Sequence, residues 1–354
     1  MTYLAQALLA FCATALLIVW LRRPALRMNL VDHPGGRKRH GEPVPLTGGL
    51  ALTAGFLLAV AVSFQALGDY TVLFACVALL AAGGLFDDLG ELSPRAKLGL
   101  QVVAAVLMTS WGGHFLTTLG DLFGRGDVQL NHWAIPLTVF ATVAVINGIN
   151  MLDGLDGLAG GLVAAILGWF AWLAWALADP NGLKLLVVLL GALLGFLFFN
   201  LPHRLRGKRR TFMGDTGSLV LGFVVVWFAI GLTQPPAGGA PPVLMLWIVG
   251  VVLFDVFTVT VRRVLRRRDP AAPDRGHVHH VLLRRGLSPR ATLAAIVGGN
   301  AALGAVGVAL WQIGMPQRWM LAAFVVVGLL YLWLFLFPAR ILRWGRRRPQ
   351  GPRA

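Results

Sequence analysis

The sequence of 354 residues is short of charge, of cysteine and of long polar stretches. Only 13% of its residues are Asp, Glu, Lys or Arg, while 57% are hydrophobic; a soluble domain carries about 25% charged residues. The polar stretches between apolar runs reach roughly 25–30 residues, and a stable soluble core usually needs more than about 40. A separate soluble domain is therefore excluded. The two cysteines, Cys12 and Cys76, lie in apolar runs. They exclude a disulfide framework and are expected to be buried as small hydrophobes. The opening "MTYLAQALLAFCATALLIVWLRR" lacks a basic leader and a small-residue cleavage site, so it reads as a retained first span. No nucleic-acid recognition module appears, and the basic residues are split among loops, which excludes nucleic-acid partners.

What is present is a series of apolar blocks, each long enough for a hydrocarbon core of about 30 Å. The expected fold is all-α, a polytopic transmembrane helical bundle, because backbone polar groups in lipid must be satisfied within each segment. Eleven spans are expected, near residues 3–21, 47–67, 70–86, 96–112, 132–149, 158–178, 183–201, 217–234, 243–261, 291–313 and 317–337. One set of connecting loops carries almost all the Lys and Arg; the other holds only Arg125, Lys184 and Arg318. The positive-inside rule makes the first set cytoplasmic, with the N-terminus outside and the C-terminus cytoplasmic. Residues 1–338 form a single transmembrane domain, and 339–354 form a basic tail. The basic face also suits anionic lipid headgroups.

Basic topology does not explain why most acids sit on that same face. Asp69, Asp121, Asp127 and Asp179 lie outside; the other acids are cytoplasmic. In the first cytoplasmic loop, rich in Pro and Gly and expected to be neither helix nor strand, Arg37, Lys38, Arg39 and His40 form a cationic cluster. Gly48 and Gly49 open the next span, where backbone N–H groups can approach an anion. Asp87 and Asp88 end the third span. Adjacent carboxylates at a membrane boundary repel each other and oppose the helix dipole, so a cation is expected there. Lys97 follows one turn into the fourth span.

The third loop, "NGINMLDGLDGLAGG", has no Lys or Arg. Asn147, Asn150, Asp153 and Asp156 recur every three residues, along one side if the segment is helical. They offer donors and acceptors to a polar ligand such as a nucleotide or sugar. Asp215 stands among small residues in "FMGDTGS", a setting open to a phosphate or to Mg²⁺, which takes oxygen ligands and keeps waters. Phe212 could stack on a base. His277, His279 and His280 cluster beside Arg275 as phosphate donors, oxygen ligands elsewhere arguing against zinc. Asp255, an acid inside a span, is a functional suspect, although pairing with Arg262 or Arg263 would give it a structural role.

Taken in order, the chain resembles the polyprenyl-phosphate N-acetylhexosamine-1-phosphate transferases from about Asp32 to Ser288. The matching pieces are Asp-x-Pro-x-x-Arg-Lys, the Asp87-Asp88 pair with Lys97 and Gln101, "NGINMLDGLDGLAGG", "FMGDTGS" and "HVHH". "NMLDGLDGL" and "HVHH" look closest to the undecaprenyl-phosphate GlcNAc-1-phosphate transferases. The peptidoglycan branch, which transfers phospho-MurNAc-pentapeptide, has Asn-Leu-Thr-Asp and three consecutive histidines; Met151-Leu152 and Val278 depart from that.

The resemblance implies a transferase of the bacterial inner membrane, working at the cytoplasmic face. A UDP-N-acetylhexosamine would give its sugar-1-phosphate to polyprenyl phosphate, yielding a polyprenyl-pyrophosphoryl sugar and UMP, the first membrane step of an envelope polysaccharide such as O-antigen. The implied cofactor is Mg²⁺, with Mn²⁺ as a substitute, held by Asp215, Asp87 and Asp88. Asp87 is the candidate base. Lys38, Lys97, Asn147, Asn150, Asp153, Asp156, Asn200, Phe212, Arg263, Arg275, His277, His279 and His280 are the expected substrate contacts, His277 also catalytic. Direct attack by the lipid phosphate is expected over an aspartyl-phosphate route. A homodimer is compatible with the sequence. A secondary transporter is the alternative from another class, but it would carry its polar residues near the midplane. A CDP-alcohol phosphotransferase would need an arginine after Asp153 and Asp156, and none follows.

Overall fold

The computed structural model describes residues 2–33, 43–63, 68–90, 92–207, 209–234, 239–267 and 276–337. Its helices in chain order are α1 (Tyr3–Arg27), α2 (Gly48–Ser63), α3 (Thr71–Gly90), α4 (Pro94–Val106, prolonged by a π turn to Trp111), α5 (Ala134–Leu152), α6 (Leu158–Ala176) and α7 (Pro180–Asn200). They continue with α8 (Gly214–Gly231), α9 (Pro242–Ile248), α10 (Gly250–Leu265), α11 (Val278–Arg284), α12 (Pro289–Gln312) and α13 (Gln317–Phe335). Three of them start the same way. Ser93, Asp179 and Ser288 each accept a hydrogen bond from a backbone N–H three residues on, and a proline follows at the first helical position. The side chain satisfies a donor that the helix leaves open, and proline has no N–H to leave unpaired.

Each of the eleven expected spans coincides with a helix or a helix pair. Eight described helices are long and apolar enough to cross a membrane, or nine if α9 and α10 count as one bent span. The shortfall has physical causes. α2 has only 16 residues, and α4 opens with the charged Arg95 and Lys97. The segment expected as one span at 243–261 is broken by 77° between Ile248 and Gly250. Asn300 of α12 fills the break: its amide nitrogen donates to the Ile248 carbonyl at 3.0 Å, and its oxygen accepts from Val251 N–H at 3.2 Å. A break in lipid is tolerated when a neighbouring helix supplies such partners.

Two local expectations are corrected. The first loop is not wholly irregular, since β1 (Val31–Asp32) pairs antiparallel with β2 (Val44–Pro45). Cys76 is buried, but Cys12 lies on the exposed face of α1.

The bundle is organised around α8, which packs against α2, α3, α5 and α6. α8 is 78% buried, whereas α13 is 11% buried. A helix apolar all round can either be encased or face lipid, and these two take the opposite solutions. α3 reaches α8 through Gly84, where an added Cβ would lie 2.5 Å from the Thr216 Cα. That close approach delivers the end of α3, with its two acids, to the N-terminus of α8.

Candidate active site

Asp87 is buried in the last turn of α3. One of its carboxylate oxygens accepts from Leu92 N–H at 2.6 Å, and the other pairs with the Lys97 ammonium. Lys97 also reaches Asp215 Oδ2 at 3.1 Å. A single ammonium thus stands between two carboxylates contributed by α3 and α8. Asn150 of α5 donates to Asp215 Oδ1 and lies 2.8 Å from Ser218 Oγ. One turn earlier, the Asn147 amide donates to Gln101 Oε1 of α4 at 2.6 Å. Four helices therefore meet at one polar cluster.

Asp88 takes a different part. Its carboxylate accepts from Asp215 N–H at 2.7 Å, from Thr216 N–H at 3.1 Å and from the Thr216 hydroxyl at 2.7 Å. These are the orphan donors of the first turn of α8, so Asp88 caps that helix from another chain segment. Gly214 makes room, with φ +68 and a phantom Cβ only 2.6 Å from the Asp88 carboxylate. The expected metal or base role of Asp88 is disfavoured by this geometry, because both oxygens are committed.

The loop after α5 closes the cluster. The regular interval of three does not continue as helix: α5 ends at Leu152, Asp153 is its C-cap, and Asp156 lies in the turn before α6. Asp153 keeps an exposed face. Withdrawal of the rest of its carboxyl from water, then the charges of Asp215, Asp156 and Asp88, push its pKa up to about 7. Asp156 receives Arg210 Nη2 at 2.6 Å on both oxygens, and the same guanidinium covers the Phe212 ring with its carbon 4.7 Å from the centroid. The ring expected to stack on a base carries an arginine in this state.

Asn200, expected at the substrate, is 5% exposed. It accepts from Gly157 N–H at 2.5 Å and donates to the Thr211 carbonyl at 2.9 Å, tying the loops before α6 and α8 together. Gly48 and Gly49, expected to offer N–H groups to an anion, instead donate to the Phe212 and Met213 carbonyls at 2.9 Å each. The first loop is thereby fixed at the same end of the bundle.

His279 is 1% exposed, and its Nε2 lies 2.6 Å from where a Cβ on Gly154 would stand. Neither ring nitrogen has a hydrogen-bond partner among the described residues. Burial, then His280 and His277, lowers its pKa to about 3, so it is a neutral imidazole packed on the Asp153 turn. His280 follows with its ring 4.1 Å from that of His279. His277 is buried and bonds Asp255 Oδ2 through Nδ1 at 2.6 Å. The carboxylate of Asp255 is thus spent on His277 and on the Val278 N–H, rather than in the expected pairing with Arg262 or Arg263. Arg263 is itself buried, on the last turn of α10. Lys38, Arg275 and the basic tail lie outside the described residues, as do Arg37, Arg39 and His40.

No group of three or more metal-ligating side chains forms among the described residues. The donor set nonetheless fits Mg²⁺: Asp87 and Asp215 offer hard oxygens, and Mg²⁺ is commonly held by one or two carboxylates together with substrate phosphates. Lys97 now supplies cationic charge between those carboxylates. Arg210, Thr216 and Ser218 complete the site, and sequence reasoning does not single them out. Arg210 is hidden in a basic run that topology already explains, and the two hydroxyls lack any pattern of their own.

A family model described as "Glycosyl transferase family 4" matches residues 70–233, the stretch holding both acidic motifs and the α5–α6 loop. The undecaprenyl-phosphate alpha-N-acetylglucosaminyl 1-phosphate transferase of Haemophilus influenzae is 34% identical over 339 residues, covering 95% of this chain and 95% of its own length. The enzyme of the same name from Yersinia pestis is 31% identical, covering 92% of this chain and 89% of its own. That from Escherichia coli K12 is 30% identical, covering 91% and 88%.

Proposed function

The chain belongs to glycosyl transferase family 4, among the sugar-1-phosphate transferases, and from that premise we propose that it transfers N-acetylglucosamine-1-phosphate from UDP-GlcNAc to undecaprenyl phosphate. A phosphate oxygen of the lipid attacks the phosphorus that bears the sugar. The bond from that phosphorus to UMP breaks, leaving undecaprenyl-pyrophosphoryl-GlcNAc and UMP. The observation that carries this reading is the Asp87–Lys97–Asp215 cluster, which sets two carboxylates and one cation where α3, α4, α5 and α8 meet. Two anionic reactants need cations to meet, and charge preorganised at the site of transfer is the main lever on such reactions.

Asp87 and Asp215 are the residues that would hold Mg²⁺, and the ion would supply charge neutralisation on the diphosphate. Lys97 shares its ammonium between the two carboxylates and is within reach of a phosphate that displaces one of them. Asp87 is bonded by a lysine and a backbone N–H, which makes it a weak base. The proposed acceptor needs little base help, because a phosphate monoester has its second pKa near 6 and is largely dianionic at neutral pH. Asp153 and Asp156 face the sugar and ribose. Arg210 yields the Phe212 ring to the uracil and passes to the diphosphate. The active end faces the cytoplasm of a bacterial inner membrane, since the basic loops belong to that end.

The experiment is UMP release by detergent-solubilised protein given undecaprenyl phosphate, Mg²⁺ and a panel of UDP-sugars. Release with UDP-GlcNAc at least ten times faster than with UDP-glucose supports the reading. Release only with UDP-MurNAc-pentapeptide would move the chain to the peptidoglycan reaction, and no UMP from any donor would overturn the transfer altogether.

A further inference from the structure

Asp255 is 2% exposed and lies on α10, a helix within the apolar bundle. An acid there is costly and calls for a reason. Both oxygens are used, each on the same short segment. Oδ2 pairs with His277 Nδ1 at 2.6 Å, and Oδ1 accepts from Val278 N–H at 2.8 Å. Val278 is the first helical residue of α11 and His277 is its N-cap. Two turns further along α10 comes a third tie, where Arg262 Nη1 donates to the Gly276 carbonyl at 3.2 Å. The histidine segment is therefore carried by α10 and does not hang as a free loop. From α13, Tyr331 reaches Asp255 Oδ1 only at 3.4 Å.

The consequence for His277 is chemical. A carboxylate accepts only, so Nδ1 must carry the proton. The ring orientation and the tautomer are then both set, and Nε2 is the nitrogen left for a ligand. The ring lies 6.0 Å from that of His279, which packs on Gly154 in the acidic turn. His277 is thus presented on the side of the bundle where Asp153 and Asp215 sit. We infer that Asp255 is a positioning residue for the transfer reaction, holding His277 by Nδ1–H so that the Nε2 lone pair accepts a hydrogen bond from a hydroxyl of the UDP-sugar. This rests on the transfer reading above. Partners that orient a functional imidazole in this manner usually matter by 10–100-fold.

The test separates positioning from plain support. In Asp255→Asn the side-chain oxygen still accepts from Val278 N–H, which keeps α11 anchored. Its NH₂ then faces His277 and donates, which forces the imidazole into the Nε2–H tautomer. Histidine-labelled ¹⁵N NMR of the full chain in lipid nanodiscs reads this directly, the His277 signal being assigned by its loss in His277→Gln. Wild type is expected as Nδ1–H and Asp255→Asn as Nε2–H. UMP release should fall about 10–100-fold in Asp255→Asn, and the double variant Asp255→Asn/His277→Gln should be no slower than His277→Gln alone. Tyr331→Phe should stay within about threefold of wild type. An unchanged tautomer, or losses that multiply in the double variant, would overturn the inference. The tautomer switch in Asp255→Asn, together with no UMP from any donor in wild type, would instead sink the transfer reading and leave the Asp255–His277 link standing.

Discussion

α8 ends in a polar network on both sides, and the two networks are built from different chemistry. At its C-terminal side His114 stacks on Trp227 with centroids 4.1 Å apart and bonds the Trp227 carbonyl at 2.8 Å. Beyond it, Gln234 accepts from Thr117 N–H at 3.0 Å and from the Thr117 hydroxyl at 2.7 Å, and donates to the Thr118 carbonyl at 3.1 Å. Every partner in the Gln234 contacts is neutral. At its N-terminal side the carboxylates of Asp87, Asp88, Asp153, Asp156 and Asp215 gather, with Lys97 and Arg210 the cations paired to them in the described residues. Both ends hold loops onto the same helix, so tethering alone does not require charge. The acidic end carries a repulsion that the neutral end avoids, and a fold keeps such a cost where a charged ligand is to be met.

The sharpest way to break this contrast is Asp215→Asn, which keeps size and one acceptor but removes the charge. Transfer should fall by about 10³-fold with the protein still folded, the upper range for losing one preorganised electrostatic partner. Near-normal UMP release would show that the acids are structural. Next is Lys97→Met, which leaves Asp87 and Asp215 without their shared cation. Removing one partner of such a pair costs about 3 kcal/mol, and the two bare carboxylates should then take Mg²⁺ more eagerly. Thermal unfolding should show a lower Tm without Mg²⁺ and a larger rise on adding it than in wild type; equal rises would contradict the shared site. Phe212→Leu should raise the KM for the UDP-sugar about tenfold, since base stacking on an aromatic ring contributes about 1–3 kcal/mol, with kcat little changed in initial-rate measurements.

The pH dependence is smaller and has a defined sign. Asp153 has its folded pKa raised to about 7, above the ordinary carboxylate range near 3.9. The folded chain then binds a proton that the unfolded chain has lost, so this residue's stabilising contribution is full below about pH 4 and disappears as pH rises through 7. Asp153→Asn should match wild type in Tm at pH 4 and exceed it at pH 8; the reverse order would remove Asp153 from the acidic cluster. Least of all should happen at the neutral end. Gln234→Ala should lower stability by about 1–2 kcal/mol while UMP release stays unchanged.

Much of this was legible in the sequence because lipid constrains the chain so severely. Apolar block length located the helices to within a few residues, and Asp87, Asn150, Asp153 and Asp215 stand out because carboxylates and amides are rare in such blocks. What escaped depends on neighbours distant in sequence. The break at Ile248–Gly250 is made tolerable by Asn300, some fifty positions away. Asp88 looks identical to Asp87 in one dimension, yet it caps α8 because Gly84 brings the two helices into contact. Asp255 has two arginines at helical spacing, but its carboxylate turns to His277, which lies beyond the end of α10. The sequence shows which groups need partners, and packing chooses among the candidates.

The most direct test of the claim that charge at the N-terminal end of α8 serves catalysis is the Mg²⁺ dependence of UMP release, measured side by side in wild type, Asp215→Asn and Gln234→Ala. The account predicts saturable activation in wild type, an identical curve for Gln234→Ala, and no activation for Asp215→Asn at any concentration tested. Activation of Asp215→Asn with the wild-type midpoint would contradict it.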